Sequence, residues 1–98
     1  MEITIKHEEN LIIALDGRLD TVTSQELQAA LDKEEVKENL VILDMEKLEY
    51  ISSAGLRLLL SLKKRLNAEN KKMEVWHLNN VCQEVIRVTG FNNILTIK

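Results

Sequence analysis

The sequence has no proline, three glycines, three aromatic residues and one cysteine in 98 positions. Without proline there is no imposed helix break and no stiff extended linker. Gly17, Gly55 and Gly90 lie too far apart to form a glycine-rich phosphate loop. With only Tyr50, Trp76 and Phe91, the core must be aliphatic. Cys82 has no partner for an internal disulfide and fits a reducing compartment. No apolar run approaches the ~20 residues that span a bilayer. Met1–Lys6 has no basic segment leading into an apolar one, so it does not read as a signal peptide. The expectation is a cytoplasmic protein with no membrane partner. A net charge of -3 argues against nucleic acid as the main partner. The cationic residues Lys63, Lys64 and Arg65, with Lys71 and Lys72 behind them, read as the solvated end of a helix. The length suits one domain, residues 1–98.

What is present alternates between strand and helix patterns. Ile3 to His7 alternates apolar with polar, and Leu11 to Leu15 is more continuously apolar; the two read as a hairpin of strands. Asp20 to Ser24 offers several helix-capping residues, and Ser24 to about Asp32 is rich in helix formers with Leu27, Ala30 and Leu31 on one face. Lys33 to Asn39 reads as a loop or frayed helix end. Leu40 to Leu43 reads as a buried strand stopping at Asp44, followed by a polar bend over Met45 to Glu49. A leucine-rich helix follows Ser53 and ends near Leu66. Leu58 or Leu59, Leu62 and Leu66 suit the core. Leu56 and Leu60 lie off that stripe, so the belt is either deeply buried or part of a contact surface. Met73 to Leu78 reads as another strand, Asn79–Asn80 as a cap, and Val81 to Thr89 as a third helix with Val81, Val85 and Val88 on one stripe and Cys82 and Ile86 beside it. Gly90 is placed as a left-handed C-cap, and Leu95 to Ile97 as a short last strand. The predicted fold is α/β: a mixed sheet of four to five strands with helices packed on it, in the order β-β-α-β-α-β-α, with an optional last β.

The chemistry on offer is narrow. Ser52 and Ser53 sit at the mouth of a helix, just beyond the central strand. Serine there ordinarily caps, contributing about 1 kcal/mol, but two adjacent serines exceed one cap. Glycine at 55 costs roughly 1 kcal/mol against alanine inside a helix. With Ala54 it implies a steric requirement, such as the close approach of another surface. No Gly-x-Ser-x-Gly elbow surrounds Ser53, and His7 and His77 lie in strand patterns, so a catalytic triad is not indicated. One cysteine and two isolated histidines give no metal-ligand spacing. Asp16, Asp20 and Asp44 are read at or just beyond strand ends, where turn and cap chemistry or a polar surface shared with Ser53 are both open.

The block Val41-Ile42-Leu43-Asp44 through Ser53-Ala54-Gly55-Leu56 resembles the signature of STAS domains. Members have an apolar strand ending in Asp, a short bend, and Asp-Ser-x-Gly-Leu at a helix start. Gly17-Arg18-Leu19-Asp20 and the ending Thr89-Gly90-Phe91 with Ile94-Leu95 are similar to further family elements, so the likeness spans nearly the whole chain. Ser52 departs from it, standing where the family often has Asp.

A free-standing chain of this kind is similar to the bacterial anti-sigma factor antagonists. The resemblance implies a non-enzymatic, cofactor-free binding module of transcription regulation. Its phosphorylation site would be Ser53. Its partners would be an anti-sigma factor with serine kinase activity, which would bring ATP and Mg²⁺, and a PPM-type phosphatase. Unphosphorylated antagonist would bind the kinase and release a sigma factor. The implied partner-binding residues are Asp20, Thr21, Asp44, Ser52, Ala54, Gly55, Leu56, Arg57 and Leu60. The alternative is a constitutive scaffold or small-ligand-binding regulatory module that phosphorylation does not control.

Overall fold

The structure, a computed structural model, describes residues 1–98. Its elements are β1 (Glu2–His7), β2 (Leu11–Leu19), α1 (Thr21–Asp32), β3 (Leu40–Ile51), α2 (Ser53–Ala68), β4 (Lys72–Trp76), α3 (Asn80–Thr89) and a short 3₁₀ turn (Phe91–Asn93). The sheet order is β1-β2-β3-β4. β1 and β2 pair antiparallel, with Ile3 opposite Leu15 and Ile5 opposite Ile13. β2, β3 and β4 run parallel. Each helical crossover moves to the next strand in the same direction, so right-handed connections put α1 and α2 on one face. That face carries the core: Leu11, Ile13, Leu15, Val41, Leu43, Met73 and Val75 all lie under the helices, buried. The opposite face is uncovered, and its strand residues are exposed or half-buried.

β3 does not stop at Asp44. It runs twelve residues to Ile51, through the segment read as a polar bend. The register against β2 slips twice: between Ala14 and Asp16 the partner advances from Asp44 to Lys47, and between Gly17 and Arg18 from Leu48 to Tyr50. Each slip is a bulge that adds one residue to β3. The buried positions are therefore Val41, Leu43, Met45, Leu48 and Ile51, spaced by two and then by three. A strict alternation cannot find such a strand.

α1 starts at Thr21 rather than Ser24. The Asp20 carboxylate accepts the N–H of Val22 and Thr23, both at 3.0 Å, and the Asp20 N–H donates to Thr23 Oγ1 at 2.8 Å. This reciprocal cap satisfies the first-turn donors and fixes the start. Leu27 and Leu31 are buried and Ala30 half-buried, on the face read from the sequence.

α2 buries a wide belt of Gly55, Leu56, Leu58, Leu59, Leu62 and Leu66. Of the cationic group at its end, Arg65 is not simply solvated. Its guanidinium donates to Leu31 O at 3.2 Å and Glu34 O at 3.1 Å, satisfying carbonyls at and beyond the end of α1. Lys71 Nζ donates to Val36 O in the same connection.

α3 is capped by Asn79, whose side chain accepts the Cys82 N–H at 2.7 Å, and ends at Gly90 with φ of 79°. The Asn79 amide also donates to Leu48 O at 3.0 Å and Glu49 O at 3.3 Å. β4 has ended by then, and Asn79 covers the β3 edge it leaves. This tether sets the rotation of α3. Cys82 and Ile86 face the core, while Val81 and Val88 of the valine stripe are 56% and 68% exposed. Burial pushes the Cys82 thiol above its ordinary range. The last segment is not a full strand: it makes a single parallel bridge, Val75 with Ile97.

Candidate functional site: two helix mouths at one sheet edge

β2 and β3 emerge from the sheet together. The Ser52 N–H donates to Leu19 O at 2.8 Å, so the two strand ends are tied. Asp20 and Ser52 follow directly as the caps of α1 and α2, and the two helix N-termini open side by side. Register also aligns Arg18 with Tyr50, and the Arg18 guanidinium lies 4.8 Å from the centre of the Tyr50 ring.

The two serines have different jobs. Ser52 is extended, with φ of -92° and ψ of 173°, and its Oγ accepts the Gly55 N–H at 3.3 Å. It is the cap. Ser53 is the first helical residue, and it is exposed. No acidic residue lies in the first turn of α2, so its positive pole is not neutralised from within the helix. At α1 the pole meets a full anion: Asp20 is held below the usual carboxylate range by the Thr23 N–H and hydroxyl, then the Val22 N–H and the charge of Arg18.

Of the residues singled out from sequence, Asp20, Thr21, Ser52, Ser53, Ala54 and Arg57 gather at this edge. Thr21 and Arg57 are exposed; Asp20, Ser52 and Ala54 are half-buried. Leu60 is half-buried two turns along α2. Three others are elsewhere. Leu56 is 1% exposed, inside the core, and offers no contact surface. Gly55 is buried as well: a Cβ there would stand 2.8 Å from Leu19 Cγ and 2.9 Å from Ile51 Cγ1. The steric requirement at Gly55 is real, but the approaching surface is the chain's own β2 and β3 ends.

Asp44 sits on the open sheet face, seven residues before Ile51, roughly 20 Å away at the rise of a strand. There it binds His77 Nδ1 at 2.9 Å. Partial burial pushes Asp44 up, but His77 and the Glu46 N–H outweigh it and hold the carboxyl below its usual range. Asp44 raises His77 in turn. Asp44, Glu46 and His77 have ligand atoms within 4.8 Å of one another, an arrangement the His77–Asp44 hydrogen bond accounts for. His7 is also engaged far from Ser53, between Glu34 and Glu38. Both histidines are thus engaged with carboxylates away from Ser53.

Sequence reasoning missed Val22, Arg18 and Tyr50. Val22 is 67% exposed in the first turn of α1; a helix start at Ser24 hides it in a loop. Arg18 and Tyr50 meet only through the bulged register. A depression of about 450 Å³ lies away from this edge. It lies on the open sheet face, lined mainly by charged residues including Glu2, Lys6, Asp44 and Lys47.

Residues 2–98 match the STAS domain family, and the chain belongs to it. BtrV of Bordetella bronchiseptica, a candidate anti-sigma factor antagonist, is 32% identical over 99% of this chain and 85% of its own. The anti-sigma-B factor antagonist of Listeria monocytogenes is 25% identical over 100% of this chain and 87% of its own. The anti-sigma factor antagonist SpoIIAA in its unphosphorylated form superposes with a TM-score of 0.82 at 18% identity, covering 99% of this chain and 88% of that one. The phosphorylated form of SpoIIAA, a Bacillus cell fate determinant, gives 0.72 at 18% identity over 99% and 91%. These two superpositions establish a shared fold. No helix is long and apolar enough to cross a membrane.

Proposed function

We propose that the chain is an anti-sigma factor antagonist whose binding edge is switched by phosphorylation of Ser53. The observation that carries this reading is the division of labour between the serines: Ser52 closes the helix, and Ser53 stands exposed at the first position of α2 beside the mouth of α1. Relatives named as anti-sigma factor antagonists, over nearly the full length, support an anti-sigma factor as the partner class, and the proposal gives that partner serine kinase activity. The occurrence of SpoIIAA in a phosphorylated form supports the chemistry.

A kinase would transfer the γ-phosphoryl of ATP to the Ser53 hydroxyl, and a PPM-type phosphatase would hydrolyse it. The chain itself is acceptor and ligand, not catalyst. A phosphate adds about two negative charges. At a helix N-terminus the domain tolerates them, because the dipole and the free N–H groups favour an anion by roughly 0.3–1 kcal/mol. The partner meets a different surface. Val22, Thr21, Ala54 and Arg57 would pack against it only while Ser53 is unmodified, since a dehydrated phosphate beside Asp20 opposes docking. The open-face depression suits a small-ligand module less well, because its lining is mainly charged where ligand pockets are mostly apolar.

The test is incubation with the cognate kinase, ATP and Mg²⁺, followed by phosphopeptide mapping and partner-binding measurements. Ser53→Ala is expected to take no phosphate and to bind its partner constitutively, and Ser53→Asp to bind weakly. Phosphate found only on Ser52, or none at all, refutes the reading.

A further inference from the structure

One arginine at the binding edge makes no ion pair, no hydrogen bond and no ring contact. Arg18 is stacked on Tyr50, Arg65 holds the carbonyls beyond α1 and Arg87 pairs with Glu84. Arg57 is exposed and uncommitted. It lies four residues after Ser53 on α2, which runs unbroken from Ser53 to Ala68. Residues i and i+4 are neighbours on one face, with Cβ atoms about 5–6 Å apart. Helical side chains lean toward the N-terminus, so a residue at 57 reaches back over 53. An anion on the N-terminal side of a cation is also the better of the two orientations.

We infer that Arg57 is the built-in counter-ion of phosphorylated Ser53, folding over the phosphate and being withdrawn from the partner surface by it. The inference rests on modification at Ser53. It gives the switch a second part: phosphorylation adds an anion and also removes a cationic contact that the unmodified edge presents. A guanidinium suits this because its planar fork can meet two phosphate oxygens, which an ammonium cannot. The neutral cap Ser52 leaves the pair without competition from a carboxylate in the first turn.

The experiment installs phosphoserine at 53 during translation, by codon reassignment, so it is independent of any kinase. Failure of kinase phosphorylation would sink the proposed function and leave this measurement intact. The second ionisation of the phosphate is followed by ³¹P NMR in the otherwise unaltered chain and in Arg57→Gln, Arg57→Lys and Arg18→Gln variants. The expected result is a phosphate that ionises about 0.4 pH unit lower with Arg57 than with Gln, the scale of an i,i+4 pair. Lysine at 57 is expected to restore part of that shift, and Arg18→Gln to leave it in place. An ionisation unchanged by Arg57→Gln overturns the inference. So does one that Arg18→Gln moves and Arg57→Gln does not.

Discussion

Replacing Gly55 with alanine separates two explanations of that glycine. If Gly55 keeps the surface clear for a partner, the substitution should be neutral for folding, or stabilising, because alanine is about 1 kcal/mol better than glycine in a helix. The packing argues otherwise. The added Cβ would meet Leu19 Cγ at 2.8 Å, Ile51 Cγ1 at 2.9 Å and Leu19 Cδ2 at 3.0 Å. Both side chains are 0% exposed, so neither can swing into solvent. Overpacking a filled core costs typically 1–3 kcal/mol, and two immobile neighbours place this case in the upper half. After the helix-propensity gain, the net loss is about 1–2 kcal/mol, or roughly 5–15 °C in Tm for a domain of this size.

Thermal and urea unfolding followed by circular dichroism would measure it. The decisive comparison is a double-mutant cycle with Leu19→Ala, which removes the closest atoms. In that background Gly55→Ala is expected to be neutral or stabilising. A Gly55→Ala protein as stable as the parent refutes the packing argument. So does an equal loss in both backgrounds.

Two further outcomes follow from the same geometry. Asn79→Ala removes the α3 cap and both donors on the β3 edge, so urea unfolding should show a loss of about 2 kcal/mol. A loss below about 0.5 kcal/mol, the level of an ordinary surface change, would mean that Asn79 does not tether α3. His7 is held with Nε2 2.9 Å from Glu34 and Nδ1 2.9 Å from Glu38, and these bonds raise its pKa above the ordinary 6.5. A raised folded-state pKa means that the folded chain binds the proton more tightly. The stabilisation is therefore complete below about pH 6.5, the unfolded histidine value, and is lost as pH rises through the folded value. Melts between pH 6 and 8.5 should show the parent losing more stability than His7→Gln, and equal losses would refute the clamp.

How much of this was legible depends on how far the deciding information lies along the chain. The caps at Asn79 and Gly90, the Leu27–Leu31 face and the core stripe through Leu62 and Leu66 of α2 follow from residues within a turn or two, whereas Leu56, expected at the partner surface, is buried. The helix-capping box at Asp20 is equally local, but three other residues able to cap, Thr21, Thr23 and Ser24, stand beside it and mask the start of α1. The extent of β3 was not local. Its bulges exist only against β2, and without that register Glu46, Lys47 and Glu49 look like a bend.

The facing of α3 is decided the same way. Two apolar stripes lie one residue apart on it, and the bond from Asn79 to the Leu48 carbonyl chooses Cys82 and Ile86 over Val81 and Val88. Ser52 and Ser53 are the sharpest instance. As isolated residues both are able to cap a helix, and a local reading does not rank them. The Leu19 carbonyl, more than thirty residues earlier in the chain, takes the Ser52 N–H and holds that residue in the extended geometry a cap needs. Once Ser52 is held there, Ser53 must be the first helical residue, and its hydroxyl is left free at the mouth of α2. The candidate switch is thus positioned by the parallel pairing of β2 with β3, and a change that disturbed that pairing near Leu19 would move the acceptor without touching it.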